Sequence, residues 1–325
     1  MTGGNGFIGS VVARRLVERG ASVVLLLRET SQVDRIADLP FERVPGDVRD
    51  GESLRRGMRG CDATIHLAAP GGWEADDPTL MTHVLEDGTR NVLDAAAGLR
   101  SHRVVFVSST AAVSAASEPI VFDERSPFSV PDSSLHYAFA KHRAEAVAQE
   151  AHANGVDVVT VNPAEVYGPG DTALATAGNL LDFAKSKPVF VCRGGTSIVH
   201  VDDVASGMLA ALDRGRSGER YILGGENLTI RELARLTLEL VDRRSPIITV
   251  PNRVVRALAR GAIRLRIPVW FNPHVVPYAT WYWFVDNAKA RRDLGVSFRS
   301  ARETIGSTIQ WLRGGVEGRS LLPPV

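Results

Sequence analysis

Five short runs in the first half of the chain are apolar at nearly every position and rich in β-branched residues. They are Ala21–Arg28 (ASVVLLLR), Phe41–Gly46, Ala63–Ala69 (ATIHLAA), Arg103–Ser108 (RVVFVS) and Asp157–Asn162 (DVVTVN). A strand with one wet face alternates polar and apolar residues, whereas a run without alternation is a strand covered on both faces. Between the runs, residues 10–19, 51–59, 85–97 and 137–153 carry apolar positions three and four apart and predict helices. Strand and helix in alternation predict an α/β fold, a Rossmann-type doubly wound parallel sheet.

After Tyr167-Gly168-Pro169-Gly170 the rhythm loosens. Helices are expected at 174–187, 202–214, 230–242 and 252–265, and short strands at 189–192, 197–201 and 221–223. The expected division is a nucleotide-binding domain over residues 1–165 and a smaller, mainly helical substrate domain over 166–325, some segments of which return to the main sheet. A chain of 325 residues is long enough to bury such a pair of cores.

The chemistry begins in the loop Thr2-Gly3-Gly4-Asn5-Gly6-Phe7-Ile8-Gly9. Glycines at 3, 6 and 9 allow a tight turn, close approach of a pyrophosphate, and close packing of the next helix on the sheet. That helix offers free N–H groups and the positive end of its dipole to the phosphates. Only Met1 and Thr2 stand where the fold needs a buried central strand, so a truncated first strand is expected. The further expectation is that the natural chain starts upstream, with Met1 in the place of an apolar strand residue.

Charge excludes some partners. The chain has 38 basic and 37 acidic residues, a formal net charge of +1, which gives no global field for nucleic acid. No run approaches the ~18 apolar residues of a membrane span. Two cysteines, Cys61 and Cys192, read as core-filling residues of a reducing, cytoplasmic compartment. No grouping of side chains suggests a metal site.

Tyr137 and Lys141 lie four apart on a predicted helix and share a face. A phenol titrates near pH 10, too high for acid–base work at neutrality, and a neighbouring ammonium favours its phenolate. Ser108-Ser109-Thr110 closes the strand RVVFVS at its carboxyl end, where open α/β sheets bind ligands. Thr110 is preferred over Ser109 as the hydroxyl that orients a reacting carbonyl toward Tyr137. At the tip of the second strand, Arg28 suits the 2′-phosphate of NADP, with Ser31 able to assist. Glu29 beside it keeps NAD open.

These motifs resemble the extended short-chain dehydrogenase/reductase superfamily, also called the NAD-dependent epimerase/dehydratase family. Within it, the likeness is to the dihydroflavonol-reductase-like branch and to sugar epimerases of hopanoid gene clusters. It runs through TGGNGFIG, Gly46-Asp47-Val48, His66-Leu67-Ala68-Ala69, SSTAAVS (108–114), YAFAK, VNPAEVYGPGD (161–171), SIVHVDDVA (197–205) and GERYILGG (218–225). The resemblance implies that Gly3, Gly6, Phe7, Ile8 and Gly9 hold the dinucleotide, that Asp47 and Val48 hold the adenine, and that Leu67, Ala68 and Ala69 line the cofactor channel. It implies that Ser108 borders the cofactor, that Lys141 bridges the nicotinamide ribose, and that Pro163 to Val166 lie beside the nicotinamide. It also implies a homodimer formed through the helices at 85–97 and 137–153. One departure is Leu85, at a position where many relatives carry Asn for a proton relay.

Substrate contacts are expected from Trp73 in Gly71-Gly72-Trp73, from His136, and from Tyr167 at the opening of the second half. Trp270, Phe271, Trp281, Tyr282, Trp283 and Phe284 form either a core flap or a platform for a flat apolar substrate. Residues 252–268 (NRVVRALARGAIRLRIP) read as a basic amphipathic helix, either packed on the substrate domain or in peripheral contact with a bilayer. The leading expectation is a reductase of ketones or aldehydes. The alternatives are a nucleotide-sugar epimerase or dehydratase, its diphosphate met by Arg193, Arg253 and Arg256, and a non-catalytic cofactor-binding sensor.

Overall fold

Four of the apolar runs become parallel strands with little side left for water. The fifth, Phe41–Gly46, holds an edge strand, Glu42–Pro45, that is largely exposed and so departs from the expectation of cover on both faces. The computed structural model describes residues 1–70, 77–99, 102–267, 269, 272–315 and 321–322. In chain order, α1 (Phe7–Glu18) is followed by β1 (Val24–Leu27), β2 (Glu42–Pro45), α2 (Gly51–Met58) and β3 (Ala63–His66). Helix α3 (Pro78–Met81) runs through a widened turn, Thr82–Asp87, into α4 (Gly88–Ala97). Next come β4 (Arg103–Val107), β5 (Val121–Phe122), α5 (His136–Ala153) and β6 (Asp157–Pro163). The second half adds β7 (Glu165–Tyr167), α6 (Ala177–Lys185), β8 (Val189–Val191), β9 (Gly195–His200) and α7 (Val201–Arg214). It continues with β10 (Arg220–Leu223), β11 (Glu226–Thr229), α8 (Ile230–Leu240), β12 (Ile247–Thr249) and α9 (Asn252–Leu265). The last elements are α10 (Val276–Ala279), β13 (Tyr282–Val285), α11 (Ala288–Leu294) and α12 (Ala301–Gly314).

The main sheet is parallel throughout, and β10, from the second half of the chain, pairs with β6 at one end of it. Its centre is held by two residues. Thr2 bridges Leu26 of β1 on one side and His66 of β3 on the other. The Thr2 N–H donates to the Ile65 carbonyl at 3.1 Å, and Leu26 N–H donates to the Met1 carbonyl at 2.9 Å. The strand order is therefore β2-β1-(Met1–Thr2)-β3-β4-β6-β10. The Met1 ammonium donates to the Val24 carbonyl at 2.6 Å, and burial lowers its pKa from 8.0 to about 6.

Helices cover both faces. Val12 of α1, Val105, Val159 and Val161 of the sheet, and Met208 of α7 are fully buried in one core. On the other face Val92, Leu93, Val104 and Ala144 join α4 and α5 to the sheet. Each large aliphatic side chain buried this way contributes about 1.5–3 kcal/mol. The second half is not helical alone. It carries β11-β9-β13-β5, with β7 against β9, and a separate β12-β8 pair. Strands β5, β7, β11, β12 and β13, of two to four residues each, were not expected from the apolar pattern.

Candidate active site

The glycine loop fits a dinucleotide by what a side chain would hit there. Gly3 has φ +67°, and a Cβ on it would come 2.9 Å from the Leu67 and Ala68 backbone. A Cβ on Gly9 would lie 2.1 Å from the Gly3 carbonyl oxygen, so α1 could not seat on the loop. At Gly6 a Cβ would find only the Gly3 oxygen, at 3.3 Å, leaving the outer side of the turn open for a phosphate. Gly6 is also the N-cap of α1, and no side chain caps it. Phe7 and Ile8 form the first turn and pack toward the main core.

The rest of the expected cofactor wall lies at the carboxyl ends of the strands. Arg28 is exposed just beyond β1, and Arg43 reaches across to donate to the carbonyls of Arg28 and Glu29 at 3.0 and 3.3 Å. Asp47 follows β2; Arg49 grips its carboxylate at 2.8 Å and, with Arg28 nearby, holds it below the usual carboxylate range. Val48 is buried against Gly88, and Ala68 N–H donates to Thr2 Oγ1 at 3.2 Å. Leu67 and Ala69 continue this rim, and Pro163 and Val166 close it beyond β6.

Tyr137 and Lys141 are on the first two turns of α5, with the ammonium 6.0 Å from the phenol ring centre. Burial pushes the Tyr137 hydroxyl up, while a hydrogen bond with the Ser109 side chain pulls it down. The hydroxyl next to Tyr137 in the free protein is thus that of Ser109, and Thr110 is buried at the start of a single 3-10 turn. Lys141 donates to the Val107 carbonyl at 2.8 Å and lies 5.5 Å from the Phe106 ring. Burial lowers its pKa from 10.5 to about 8, and Glu145 works against that fall.

Glu145 is the residue that the sequence reading missed, although its spacing was visible. It continues the 137, 141 series by one more turn of α5. Its Oε1 accepts from Ser108 Oγ at 2.5 Å and from Asn162 Nδ2 at 2.5 Å; its Oε2 accepts from Arg220 of β10 at 3.1 Å. Asn162 also donates to the Ser109 carbonyl at 2.8 Å. The carboxylate therefore ties α5, β4, β6 and β10 together under the reacting groups. Ser108 was expected to border the cofactor; its hydroxyl is instead turned inward, buried and given to Glu145.

Other expectations need correction. Tyr167 was expected at the substrate, but it is fully buried in the second core and donates to Glu165 at 2.6 Å. Arg256, a candidate for a diphosphate, is stacked 4.1 Å above the Trp281 ring and donates to Thr280 Oγ1 at 2.7 Å. Leu85 packs with Met81, Ala140 and Tyr137, giving an apolar wall where a relay Asn would stand. Trp73 with Gly71 and Gly72, and Trp270 with Phe271, lie outside the described residues. His136 opens α5 and is half-buried. Trp283, Trp281, Tyr278, Ala138 and Leu135 pack in one cluster with Tyr137. Trp283 gives its indole N–H to the Tyr278 carbonyl at 2.9 Å, whereas the buried Trp281 Nε1 meets no acceptor among the described residues.

Comparison with known proteins gives the family and the fold. A profile of the NAD dependent epimerase/dehydratase family matches residues 1–224. A protein of Synechocystis sp. named putative dihydroflavonol 4-reductase is 31% identical over 324 residues, covering 96% of this chain and 94% of its own length. A 4-hydroxy-2-methyl-3-oxo-4-farnesyl-3,4-dihydroquinoline-1-oxide ketoreductase of Stigmatella aurantiaca is 32% identical over 319 residues, covering 92% and 91%. Among solved structures, a double mutant of the dTDP-glucose 4,6-dehydratase of Streptomyces venezuelae with NAD bound superposes with a TM-score of 0.76 at 26% identity, covering 96% and 95%.

Proposed function

The chain belongs to the NAD dependent epimerase/dehydratase family, and from that premise we propose that it reduces a ketone or aldehyde with NADPH. A nicotinamide dinucleotide held by the glycine loop supplies the hydride; the chain's own residues handle the proton and the position of the carbonyl. Thr110 and Ser109 offer hydroxyls at the end of β4, Thr110 to the carbonyl oxygen and Ser109 to Tyr137. Tyr137 donates the proton to the oxygen as it gains charge, and Lys141 stabilises the phenolate left behind.

The observation that carries the choice of reductase is the state of Arg256. Stacked on Trp281 and bound to Thr280, it helps build an aromatic wall beside Tyr137 instead of waiting for a diphosphate. An apolar carbonyl compound suits that wall better than a sugar nucleotide. The relative whose name describes reduction of a farnesylated ketone supports the same class of substrate. For the cofactor, Arg28 and Arg43 beside the end of β1 favour a 2′-phosphate.

The test is loss of NADPH absorbance with a panel of apolar ketones, flavonoid-like and steroid-like carbonyls and short aldehydes, with NADH as the control. Steady consumption is expected, and Tyr137→Phe lowers kcat by about 10²–10⁴ while cofactor still binds. If NADPH binds and no carbonyl consumes it, the reductase reading fails, and sugar nucleotides are the next substrates to try.

A further inference from the structure

Just over half of the large apolar side chains exposed among the described residues lie on one element and the turn that follows it. Of nine large hydrophobic residues that stand exposed among the described residues, five fall on α9 and the turn after it: Val254, Leu258, Ile263, Leu265 and Ile267. Leu265 is 67% exposed and Leu258 54%. Single exposed hydrophobics are ordinary, but a group of them marks a surface that something covers. Val254, Leu258 and Leu265 are spaced four and seven apart and form one stripe of the helix. Ala259 and Ala262 are its buried face.

The charges on the same helix say what the cover is. Arg253, Arg260 and Arg264, spaced seven and four apart, make a second exposed stripe roughly 120° round the helix from the first. Arg266 follows at the end, and no acidic residue occurs from Asn252 to Ile267. A second copy of this helix would bring arginines toward arginines with no carboxylate on α9 to answer them. An anionic bilayer meets both stripes at once: acyl chains take the leucines while phosphates take the guanidinium groups.

We propose that α9 is a membrane-surface helix that docks the protein on anionic lipid. The helix also sits on the wall of the candidate site. Arg256 joins it to Trp281, which packs in the cluster with Tyr137, and Asp132, five residues before Tyr137, lies in the field of Arg256 and Arg260. A docked helix therefore places the aromatic wall next to the phase in which an apolar carbonyl compound dissolves. Docking itself does not depend on the proposed reaction, so it is measured without substrate or cofactor.

The experiment is co-sedimentation of the full chain with mixed phosphatidylcholine–phosphatidylglycerol vesicles and with pure phosphatidylcholine vesicles. Binding to the mixed vesicles is expected, with much less to the pure ones and progressive release by salt. Arg260→Gln with Arg264→Gln should weaken partitioning about thirtyfold, at roughly fivefold per surface arginine. Leu258→Glu with Leu265→Glu should abolish it, while the thermal melt and dinucleotide binding stay as in the parent. Four results would each overturn the proposal. The parent could stay in the supernatant with mixed vesicles, or bind pure phosphatidylcholine equally well. The Leu258→Glu, Leu265→Glu variant could sediment like the parent, or light scattering could show a dimer that this variant dissociates.

Discussion

The floor and the roof of the site are made in opposite ways. The floor is a polar lattice: Lys141 is anchored to the Val107 carbonyl, and Glu145 takes Ser108, Asn162 and Arg220 on two oxygens. Every one of these partners lies on, or one residue past, a strand of the main sheet. The roof is an aromatic cluster backed by α9, whose outer side exposes an apolar stripe beside a basic one. A lattice of this kind tolerates little change because each missing partner leaves a buried polar group unpaired. An aromatic wall tolerates exchange of one ring for another. On the function proposed above, the chain would fix its proton chemistry and leave its substrate surface free to vary.

The sharpest way to break this contrast is at Lys141. Lys141→Met keeps the bulk of the side chain and removes the charge that stabilises the Tyr137 phenolate. A fall in kcat of about 10²–10⁴ is expected, with the glycine loop still binding cofactor. An unchanged kcat would mean that Tyr137 works without its neighbour.

Glu145 comes next. Glu145→Ala leaves Arg220 without its carboxylate in a largely buried place, where breaking such a pair costs about 3–5 kcal/mol. Urea unfolding checks this; a loss under about 1 kcal/mol would show the lattice to be ornamental. Glu145→Gln keeps the shape and separates position from charge. In the parent, burial lowers the Lys141 pKa to about 8, so kcat/KM is expected to fall as pH rises through that value. Glu145 opposes the fall that burial imposes on the lysine pKa, so its neutral replacement lowers that pKa further and the alkaline limb moves to lower pH. A limb that stays in place would make Glu145 a structural residue only.

The contrast also explains what could be read in advance. Strands β1, β3, β4 and β6 announce themselves because burial on both faces demands unbroken apolar runs such as VVFV. The tyrosine–lysine pair is legible because a helix repeats its face every four residues, and the same rule reaches Glu145. The inward turn of Ser108 was not legible, since a serine at a strand end suits a ligand and a buried carboxylate equally well. Strands β5, β7 and β11 are too short, and ENLT of β11 too polar, to stand out from loop sequence. Tyr167 was misread because a tyrosine beside a Gly-Pro-Gly turn resembles a pocket residue. Its hydroxyl is accepted by Glu165, two residues earlier in the chain, and its ring is wholly inside.

The smallest effect belongs to the roof. Trp281 carries a buried indole N–H that no described residue accepts, and Arg256 lies flat on its ring. Trp281→Leu keeps an apolar wall and removes the ring, so an apolar substrate against that wall loses one aromatic contact. That loss is worth about 0.5–1.5 kcal/mol, or roughly a tenfold rise in KM at most, with kcat nearly unchanged because Tyr137 and Lys141 are untouched. Comparison of KM and kcat for parent and variant on the first ketone found to be a substrate gives the answer. If kcat falls as far as it does in Lys141→Met, the roof is as rigidly coupled to the chemistry as the floor. The division of the site into a fixed half and an adaptable half would then have to be abandoned.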